Sequence, residues 1–247
     1  MKGNNSIYLW RALVIPLFLL ILEVLVRAKV INPFFVAEPS NFLAALVREL
    51  AGGELLKLTA KTMSEVGIVF AIGSTIGISV GYVLWKVPVA GTAYETFLGA
   101  VMASPVVLLY PIFLIFFGRT MWAIIALNAV HSTIPIILNT RHGLMDVSPS
   151  LIKVGRSLNL SDRQIFRHIL LPAAVPMIFS GLRLGIIYML LGIIALEYIV
   201  SMGGLGWFIS DKAFRFEAPE LYAAISLVLL LSVAVMYLMG RAQKAMR

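Results

Sequence analysis

The stretch KVGRSLNLSDRQIFRHILLP, Lys153 to Pro172, is a short basic and amphipathic segment in a chain that is otherwise mostly apolar. A first helix is predicted from Pro149, because apolar and small residues recur behind it at helical spacing. Asn159 tolerates the left-handed backbone that ends helices, and Ser161 with Gln164 predicts a capping box that opens a second helix. Pro172 is expected to end that helix. We therefore predict a helix, a tight turn and a helix.

The composition indicates a membrane protein. The chain has 247 residues, of which 60% are hydrophobic and 13% are charged, and this is too apolar for an ordinary soluble domain. A net charge of +8 would suggest nucleic acid in a soluble protein, but here it is attributed to Lys and Arg held on the cytoplasmic side. Membrane lipid is therefore an expected partner and nucleic acid is not. The chain contains no cysteine, so disulfides and thiolate metal sites are excluded.

The predicted fold class is an all-α polytopic membrane protein whose single transmembrane domain covers residues 1–247. Segments of about 20 apolar residues can cross a bilayer, and helices satisfy their own backbone polar groups. The first apolar segment is interpreted as an uncleaved span and not as a signal peptide, because a small-residue cleavage site is missing behind it. The six predicted spans are residues 9–27, 66–85, 97–117, 121–138, 175–199 and 221–239. An external amphipathic segment is predicted at 40–56, and a cytoplasmic two-helix loop at 141–172 between spans 4 and 5.

Basic residues predict the orientation of these spans. With the N-terminus inside, twelve of the twenty Lys and Arg residues are cytoplasmic. The two short external loops hold three, namely Arg119, Lys212 and Arg215. The remaining five, from Arg27 to Lys61, lie in the first external segment. We therefore expect an inner-membrane protein with both termini in the cytoplasm.

Small and polar residues within the spans carry two further predictions. Gly73, Gly77 and Gly81 follow one another at four-residue intervals, a pattern that allows a neighbouring helix to approach closely. Asn128, His131 and Ser132 share one face of the fourth span. That polar strip either lines a solute path or ties helices together, and the sequence leaves both open. Pro105, Pro111 and Pro135 are expected to kink the third and fourth spans.

Two charged residues lie within the fifth span. Arg183 and Glu197 are about 21 Å apart along a helix, less than the roughly 30 Å hydrocarbon core, so both cannot lie outside it unless the helix breaks. A charge at that depth favours a position facing the bundle or water. Glu197 is predicted either to lie near the outer part of a translocation path or to hydrogen-bond neighbouring helices.

The segment from Lys153 to Pro172 resembles the cytoplasmic coupling loop of ABC-importer permeases. That signature is E-A-A, three residues, Gly, nine residues, then I-x-L-P, and here Ile169, Leu171 and Pro172 occupy the last motif. Asn159 stands at the Gly position and Lys153 at the Glu position, where it reverses a charge. In addition, GLRLG at 181–185, ALE at 195–197 and GGLGW at 203–207 are similar to permeases for nitrate, sulfonates and taurine.

The resemblance implies a function and a set of partners. The chain would be the membrane subunit of an importer for a small solute, coupled to separate ABC ATPase subunits that hold ATP and Mg. It would also pair with a second permease subunit, expected to be a copy of this chain, and receive solute from an extracytoplasmic binding protein. The implied ATPase-docking residues are Lys153, Val154, Gly155, Arg156, Leu158, Asn159, Leu160, Ile169, Leu171 and Pro172. The implied translocation-path residues are Glu197, Asn128, His131 and Ser132.

Missing motifs limit the chemistry of this chain. There is no G-x-x-x-x-G-K-[ST] phosphate loop and no H-E-x-x-H, so we expect a transporter subunit without enzyme activity, cofactor or metal of its own. An ion-coupled carrier or channel is the alternative, although it does not require a cytoplasmic two-helix loop and no inverted repeat is visible. A DNA-reading helix-turn-helix is disfavoured, because the second helix presents Ile and Phe where base-reading polar side chains are expected.

Overall fold

The computed structural model describes the backbone of residues 4–245 and the side chains of residues 13–244, and this part of the chain is helical without strands. Three charged side chains used for the orientation, Lys2, Arg11 and Arg247, lie outside the described residues. The helices are α1 (Asn4–Arg27), α2 (Pro39–Ala51), α3 (Glu54–Lys86), α4 (Pro88–Ala103), α5 (Tyr110–Phe117), α6 (Met121–Met145), α7 (Pro149–Ser157), α8 (Asp162–Ile165), α9 (Leu171–Val200), α10 (Leu205–Phe214) and α11 (Ala218–Ala245). A 3₁₀ turn at Val106–Leu109 precedes α5, and a π-helical turn at Phe166–Leu170 joins α8 to α9.

Four described helical segments are long and apolar enough to cross a membrane, and a bent pair raises the possible count to five. The four are Glu54–Lys86, Met121–Met145, Asp162–Val200 and Ala218–Lys244. The predicted number of six spans is therefore not established by these residues. The all-helical character of the predicted fold is confirmed.

The third predicted span, residues 97–117, is two helices and not one. Pro88–Ala103 and Val106–Phe117 meet at an angle of 94°. Pro105 lies at the break, and the residue before it, Ser104, has the extended backbone that a following proline favours (φ −74°, ψ 143°). The expected kink at Pro105 is thus a sharp bend. By contrast, α6 continues through Pro135 as one helix, and Pro111 lies in the first turn of α5.

Helix α3 extends well beyond the predicted span of residues 66–85. Its 33 residues measure about 50 Å at 1.5 Å per residue, which is longer than a hydrocarbon core of about 30 Å. The extra length lies at its N-terminus, where Gly53 in the left-handed conformation (φ 78°) separates it from α2. The predicted amphipathic segment 40–56 is therefore a shorter helix, α2, followed by the start of α3.

The centre of the molecule is a three-helix layer in which α6 lies between α3 and α9. Buried residues run along the whole of α6, and Ile124, Leu127 and Ile136 have no exposed surface. Met189 and Ile193 of α9 complete the largest apolar cluster with them. This layer positions the polar residues described below.

A second group of helices packs around one end of this layer and consists of α1, α2, α10 and α11. Phe208 of α10 and Leu55 of α3 are buried with alanines of α11. An ion pair between Arg48 and Glu220 joins α2 to α11. The C-terminal part of α1 is held by Glu23, whose carboxylate accepts hydrogen bonds from the backbone N–H and the hydroxyl of Ser40 at 2.9 and 2.8 Å, and which thereby caps α2.

The two-helix segment consists of α7, α8 and the turn between them. It contains the predicted local features, but its second helix does not end where predicted. Asn159 has left-handed backbone (φ 55°), and Ser161 and Gln164 form the predicted capping box. The prediction that Pro172 ends the second helix is wrong, because Asp162–Val200 is one continuous helical run. The π-helical turn immediately before α9 changes the hydrogen-bond register, and the Leu171 N–H bonds the Phe166 carbonyl, five residues back. This widening accommodates a proline ring that would otherwise oppose a regular helical carbonyl.

Candidate functional site

The polar strip of α6 is enclosed between helices. The exposed fractions of Asn128, His131 and Ser132 are 1%, 7% and 0%. The Asn128 amide donates to the Ile124 carbonyl at 3.0 Å, and the Ser132 hydroxyl donates to the Asn128 carbonyl. The His131 Nε2 atom lies 3.2 Å from the Met102 carbonyl oxygen. The first two bonds lie within α6, and the contact of His131 joins α6 to α4, which is the helix-tying role for His131 in the observed conformation.

Three predicted packing glycines of α3 lie directly against α6. A Cβ atom added to Gly77 would lie 2.7 Å from the Cβ and Cγ2 atoms of Ile136. One added to Gly81 would lie 2.7 Å from the Ile137 carbonyl oxygen, and one added to Gly73 would lie 3.0 Å from the Thr133 hydroxyl oxygen. Because Gly73, Gly77 and Gly81 have no side chains, the backbone of α3 can approach α6 closely at these three positions.

Helix α9 approaches the other side of α6 in the same way. A Cβ atom added to Gly181 or Gly185 would lie 2.7 to 2.8 Å from side-chain atoms of α6. Gly192 belongs to the same contact, since the Asn128 amide is packed against it, and it was not predicted from the sequence. Gly192 lies seven residues after Gly185, two helical turns away on the same face, and that spacing could have indicated it.

A buried polar cluster joins the N-terminal part of α3 to the C-terminal end of α9. Glu197 is fully buried, and both of its carboxylate oxygens accept from the Thr62 hydroxyl, at 2.8 and 2.9 Å. The Lys61 ammonium lies 2.7 Å from Glu65 Oε1 and 3.8 Å from Glu197 Oε1. Glu65 is also fully buried, and its second oxygen has no hydrogen-bond partner among the described residues. Two buried carboxylates thus share one ammonium group.

The same cluster holds the segment that follows α9. The Glu197 carboxylate accepts from the Gly206 N–H at 3.0 Å, and Thr62 accepts from the Leu205 N–H at 2.9 Å. These are first-turn amides of α10, where a carboxylate is electrostatically favourable. Gly204 has left-handed backbone (φ 99°), and a Cβ atom there would collide with the Glu197 carboxylate. Glu197 therefore makes the contacts of a structural anchor, which was one of its two predicted roles.

The contribution of Thr62, Lys61 and Glu65 was missed by the sequence reading. Thr62 and Glu197 are 135 positions apart, so no local pattern connects them. Two glycines of the GGLGW run, Gly204 and Gly206, lie against the Glu197 carboxylate, but the sequence reading used that run only as a point of resemblance. Arg119 was counted only as an external charge, yet it donates to the Val200 carbonyl at 2.7 Å and caps α9. Arg183 is exposed on α9.

A second ion-paired cluster was also missed and lies where α6 approaches the two-helix segment. Arg141, with 3% of its surface exposed, pairs with Glu95 of α4, and the His142 Nε2 atom lies 2.8 Å from the other oxygen of that carboxylate. Gly91 packs against the same guanidinium. This cluster fixes α4 to the end of α6 immediately before α7.

The two-helix segment presents an exposed apolar stripe. Leu151 and Val154 of α7 and Leu158, the residue after its end, recur at positions i, i+3 and i+7, and their exposed fractions are 48%, 56% and 69%. Gly155, which lies beside this stripe on α7, faces the π-helical turn, and a Cβ atom added there would lie 2.6 Å from the Ile169 Cδ1 atom. The segment is therefore a packed unit with an apolar outer face.

The other residues implied in docking divide by exposure. Ile169 and Leu160 are half-buried and belong to the internal packing of the segment. Those with exposed surfaces are Lys153, Arg156, Asn159, Leu171 and Pro172. A docking partner would therefore meet α7 and the start of α9, while Gly155, Leu160 and Ile169 maintain the shape of the segment.

The sequence matches a known protein family over most of its length. Residues 73–247 match the family described as the binding-protein-dependent transport system inner membrane component. This range contains α6, the two-helix segment, α9 and α11.

Individual relatives are transport permeases. The chain is 26% identical over 228 residues to the formylaminopyrimidine transport permease protein ThiX of Halalkalibacterium halodurans, covering 91% of this chain and 90% of ThiX. It is 31% identical over 150 residues to the nitrate import permease protein NrtB of Synechocystis, covering 61% of this chain and 54% of NrtB. It is 24% identical over 226 residues to the putative aliphatic sulfonates transport permease protein SsuC of Bacillus subtilis, covering 91% and 82%.

Solved structures share the fold. A chain of the MetNI methionine ABC transporter in an inward-facing conformation superposes with a TM-score of 0.67 and 20% sequence identity, over 81% of this chain and 99% of that one. An amino acid ABC transporter crystallised with histidines gives a TM-score of 0.66 at 17% identity, over 81% and 97%. At these identities the likeness concerns the fold alone.

Proposed function

Since the chain belongs to the binding-protein-dependent transport system inner membrane components, we propose that it is the permease subunit of an ATP-binding-cassette importer. It forms the path of a small solute and is coupled to a separate ATPase. ATP and Mg bind the ATPase, and this chain has no cofactor of its own. The family match favours this function over an ion-coupled carrier or channel.

One observation carries the proposal. The exposed stripe Leu151, Val154 and Leu158 lies on a compact two-helix unit that follows α6 and continues into α9. Water-exposed leucine and valine at helical spacing form the kind of surface that a partner protein covers. Closure of the ATPase around this unit would then move α6 and α9, which flank it in the chain. The bundle is the two-state element that such docking would bias.

The proposed topology has six spans with both termini in the cytoplasm. It adds α1 and the bent pair α4 and α5 to the four segments of spanning length. The bend at Ser104 and Pro105 leaves the α4 and α5 pair shorter across the membrane than a straight helix, and this suits the wall of a cavity. A second permease subunit, proposed to be another copy of this chain, would complete the path.

The proposed solute is a small compound of the nitrate, sulfonate or taurine kind, delivered by an extracytoplasmic binding protein. Support comes from the names of the relatives, which include nitrate and aliphatic sulfonate permeases as well as a formylaminopyrimidine permease. We propose that Asn128, His131, Ser132 and Glu197 act in this path indirectly, by holding the helices that form it.

The orientation is tested directly because the chain has no cysteine. A single cysteine at Ser157, which is exposed at the end of α7, should react with a membrane-impermeant maleimide in inside-out vesicles and remain unlabelled in right-side-out vesicles. A cysteine at the exposed Phe216, between α10 and α11, should show the opposite pattern. Labelling of both positions from the same side would contradict the proposed topology.

Coupling is tested by placing a charge on the stripe. Leu158→Glu should lower the ATP hydrolysis that co-purifies with the tagged chain by roughly tenfold or more, because an unpaired carboxylate buried in an apolar interface is costly. Leu158→Met keeps an apolar side chain of similar volume and should retain activity. Leu158 is 69% exposed, so neither variant should lower the melting temperature of the permease. Equal hydrolysis by both variants would refute docking at this stripe.

A further inference from the structure

A groove separates the C-terminal end of α3 from the two-helix segment. Tyr82, Trp85 and Lys86 line it on the α3 side, and Arg156, Asp162 and Arg163 line it on the other. Its volume is about 590 Å³. The stripe of Leu151, Val154 and Leu158 does not line this groove, although Arg156 is also one of the residues implied in ATPase docking.

The aromatic wall of the groove indicates its depth in the membrane. The ring of Tyr82 lies 5.7 Å from that of Trp85 and 5.2 Å from that of Phe166, measured between centroids. Both Tyr82 and Trp85 are half-buried and lie in the last two turns of a spanning helix. Tyrosine and tryptophan are enriched at this level of membrane proteins, where lipid headgroups meet the hydrocarbon core.

The charges of the groove are mostly positive. Lys86, Arg156 and Arg163 are exposed, and among the side chains described, residues 13–244, none of these three cations lies in a salt bridge. Asp162 offsets one of the three charges. The remaining excess of two positive charges complements an anion, and clustered cations beside a spanning helix are typical of headgroup sites.

We propose that this groove binds the headgroup of an anionic phospholipid. The phosphate contacts Lys86, Arg156 and Arg163, and the glycerol region lies on Trp85. The acyl chains follow α3 into the hydrocarbon along its exposed apolar side chains Ile76, Val80 and Val83. This continuity with an apolar helix surface favours a lipid over free phosphate. A bound lipid would fix the two-helix segment to α3.

The test uses the full chain in nanodiscs of phosphatidylcholine with or without phosphatidylglycerol. For the wild type, phosphatidylglycerol should raise the melting temperature and be retained in native mass spectra. The double variant Arg156→Gln/Arg163→Gln should lose the shift and bind this lipid roughly tenfold or more weakly. The matched control Arg167→Gln/Lys244→Gln removes two exposed cations that neither line the groove nor belong to the residues implied in ATPase docking, and it should keep the lipid dependence of the wild type.

Several outcomes would overturn the proposal. Equal loss in the groove and control variants would indicate diffuse attraction to an anionic surface and no site. Equal stabilisation by inorganic phosphate in phosphatidylcholine nanodiscs would indicate a soluble anion as the ligand. Loss of ATPase co-purification with unchanged lipid dependence in Arg156→Gln/Arg163→Gln would make the groove a protein interface. Since all four substitutions are at exposed positions, folding should persist, and Lys86→Gln offers an independent single variant.

Discussion

Replacing Gly77 by valine is expected to lower the melting temperature of the detergent-purified protein by several degrees. A Cβ atom at this position would already lie 2.7 Å from two atoms of Ile136, and α3 and α6 would have to move apart. Overpacking of this kind costs about 1–3 kcal/mol or more, which exceeds the helix-propensity gain of roughly 0.5–1 kcal/mol for glycine to alanine, a gain that is smaller still for valine. Thermal unfolding followed by tryptophan fluorescence or circular dichroism would measure the difference.

Gly67 provides the matched control on the same helix. No heavy atom lies within 4 Å of a Cβ atom added there. Gly67→Ala should therefore leave the melting temperature unchanged or raise it slightly, because only the propensity gain applies. Gly77→Ala should still lower it. If the two alanine variants behaved alike, the close contact between α3 and α6 would not contribute to stability.

Sequence reasoning succeeded where the controlling interactions are local. The capping box at Ser161 and Gln164 and the left-handed Asn159 are set by residues within four positions of one another. The helical class follows from long apolar segments, because lipid leaves few other ways to satisfy the backbone. The glycine spacing of α3 indicated a close helix contact, although it could not identify α6 as the partner.

Sequence reasoning failed where the outcome depends on contacts made by distant residues or on the hydrogen-bond register. Pro172 was expected to end a helix, but a π-helical turn before it allows α8 to continue into α9. Pro105 gave a kink whose size, 94°, depends on how α4 and α5 pack on α6. The anchor of Glu197 on α3 was invisible, because Thr62 resembles any other threonine of a helix until the fold brings it within 2.8 Å of the carboxylate.

Removal of the Glu197 carboxylate, near the C-terminal end of α9, is expected to lower stability as much as or more than the replacement of Gly77 by valine. Glu197→Ala leaves the Thr62 hydroxyl and the Gly206 N–H without their acceptor in a fully buried site. It also removes a negative charge from beside the Lys61 ammonium. Breaking a buried charged network in this way costs about 3–5 kcal/mol. Glu197→Gln keeps an acceptor oxygen and the side-chain volume, so it should be less destabilising.

Unfolding in detergent and limited proteolysis between α9 and α10 would measure this effect. The segment held by Glu197, which includes Gly203 and Gly204, should become more readily cleaved in the alanine variant. Glu54→Ala is the control, since it removes an exposed carboxylate near the start of α3. Unchanged stability and unchanged cleavage of Glu197→Ala would contradict the role of an anchor.

A double-mutant cycle with Thr62 separates anchoring from direct contact with solute. Thr62→Val removes the donor to both Glu197 oxygens and the acceptor of the Leu205 N–H while keeping a similar shape. If the two residues act through one network, the combined loss of stability in Glu197→Ala/Thr62→Val should be smaller than the sum of the single losses, by about 0.5–3 kcal/mol. If Glu197 served only the solute path, its replacement would reduce transport, and the losses of stability in the two single variants would be additive. The contact between α3 and α9 would then not depend on Glu197.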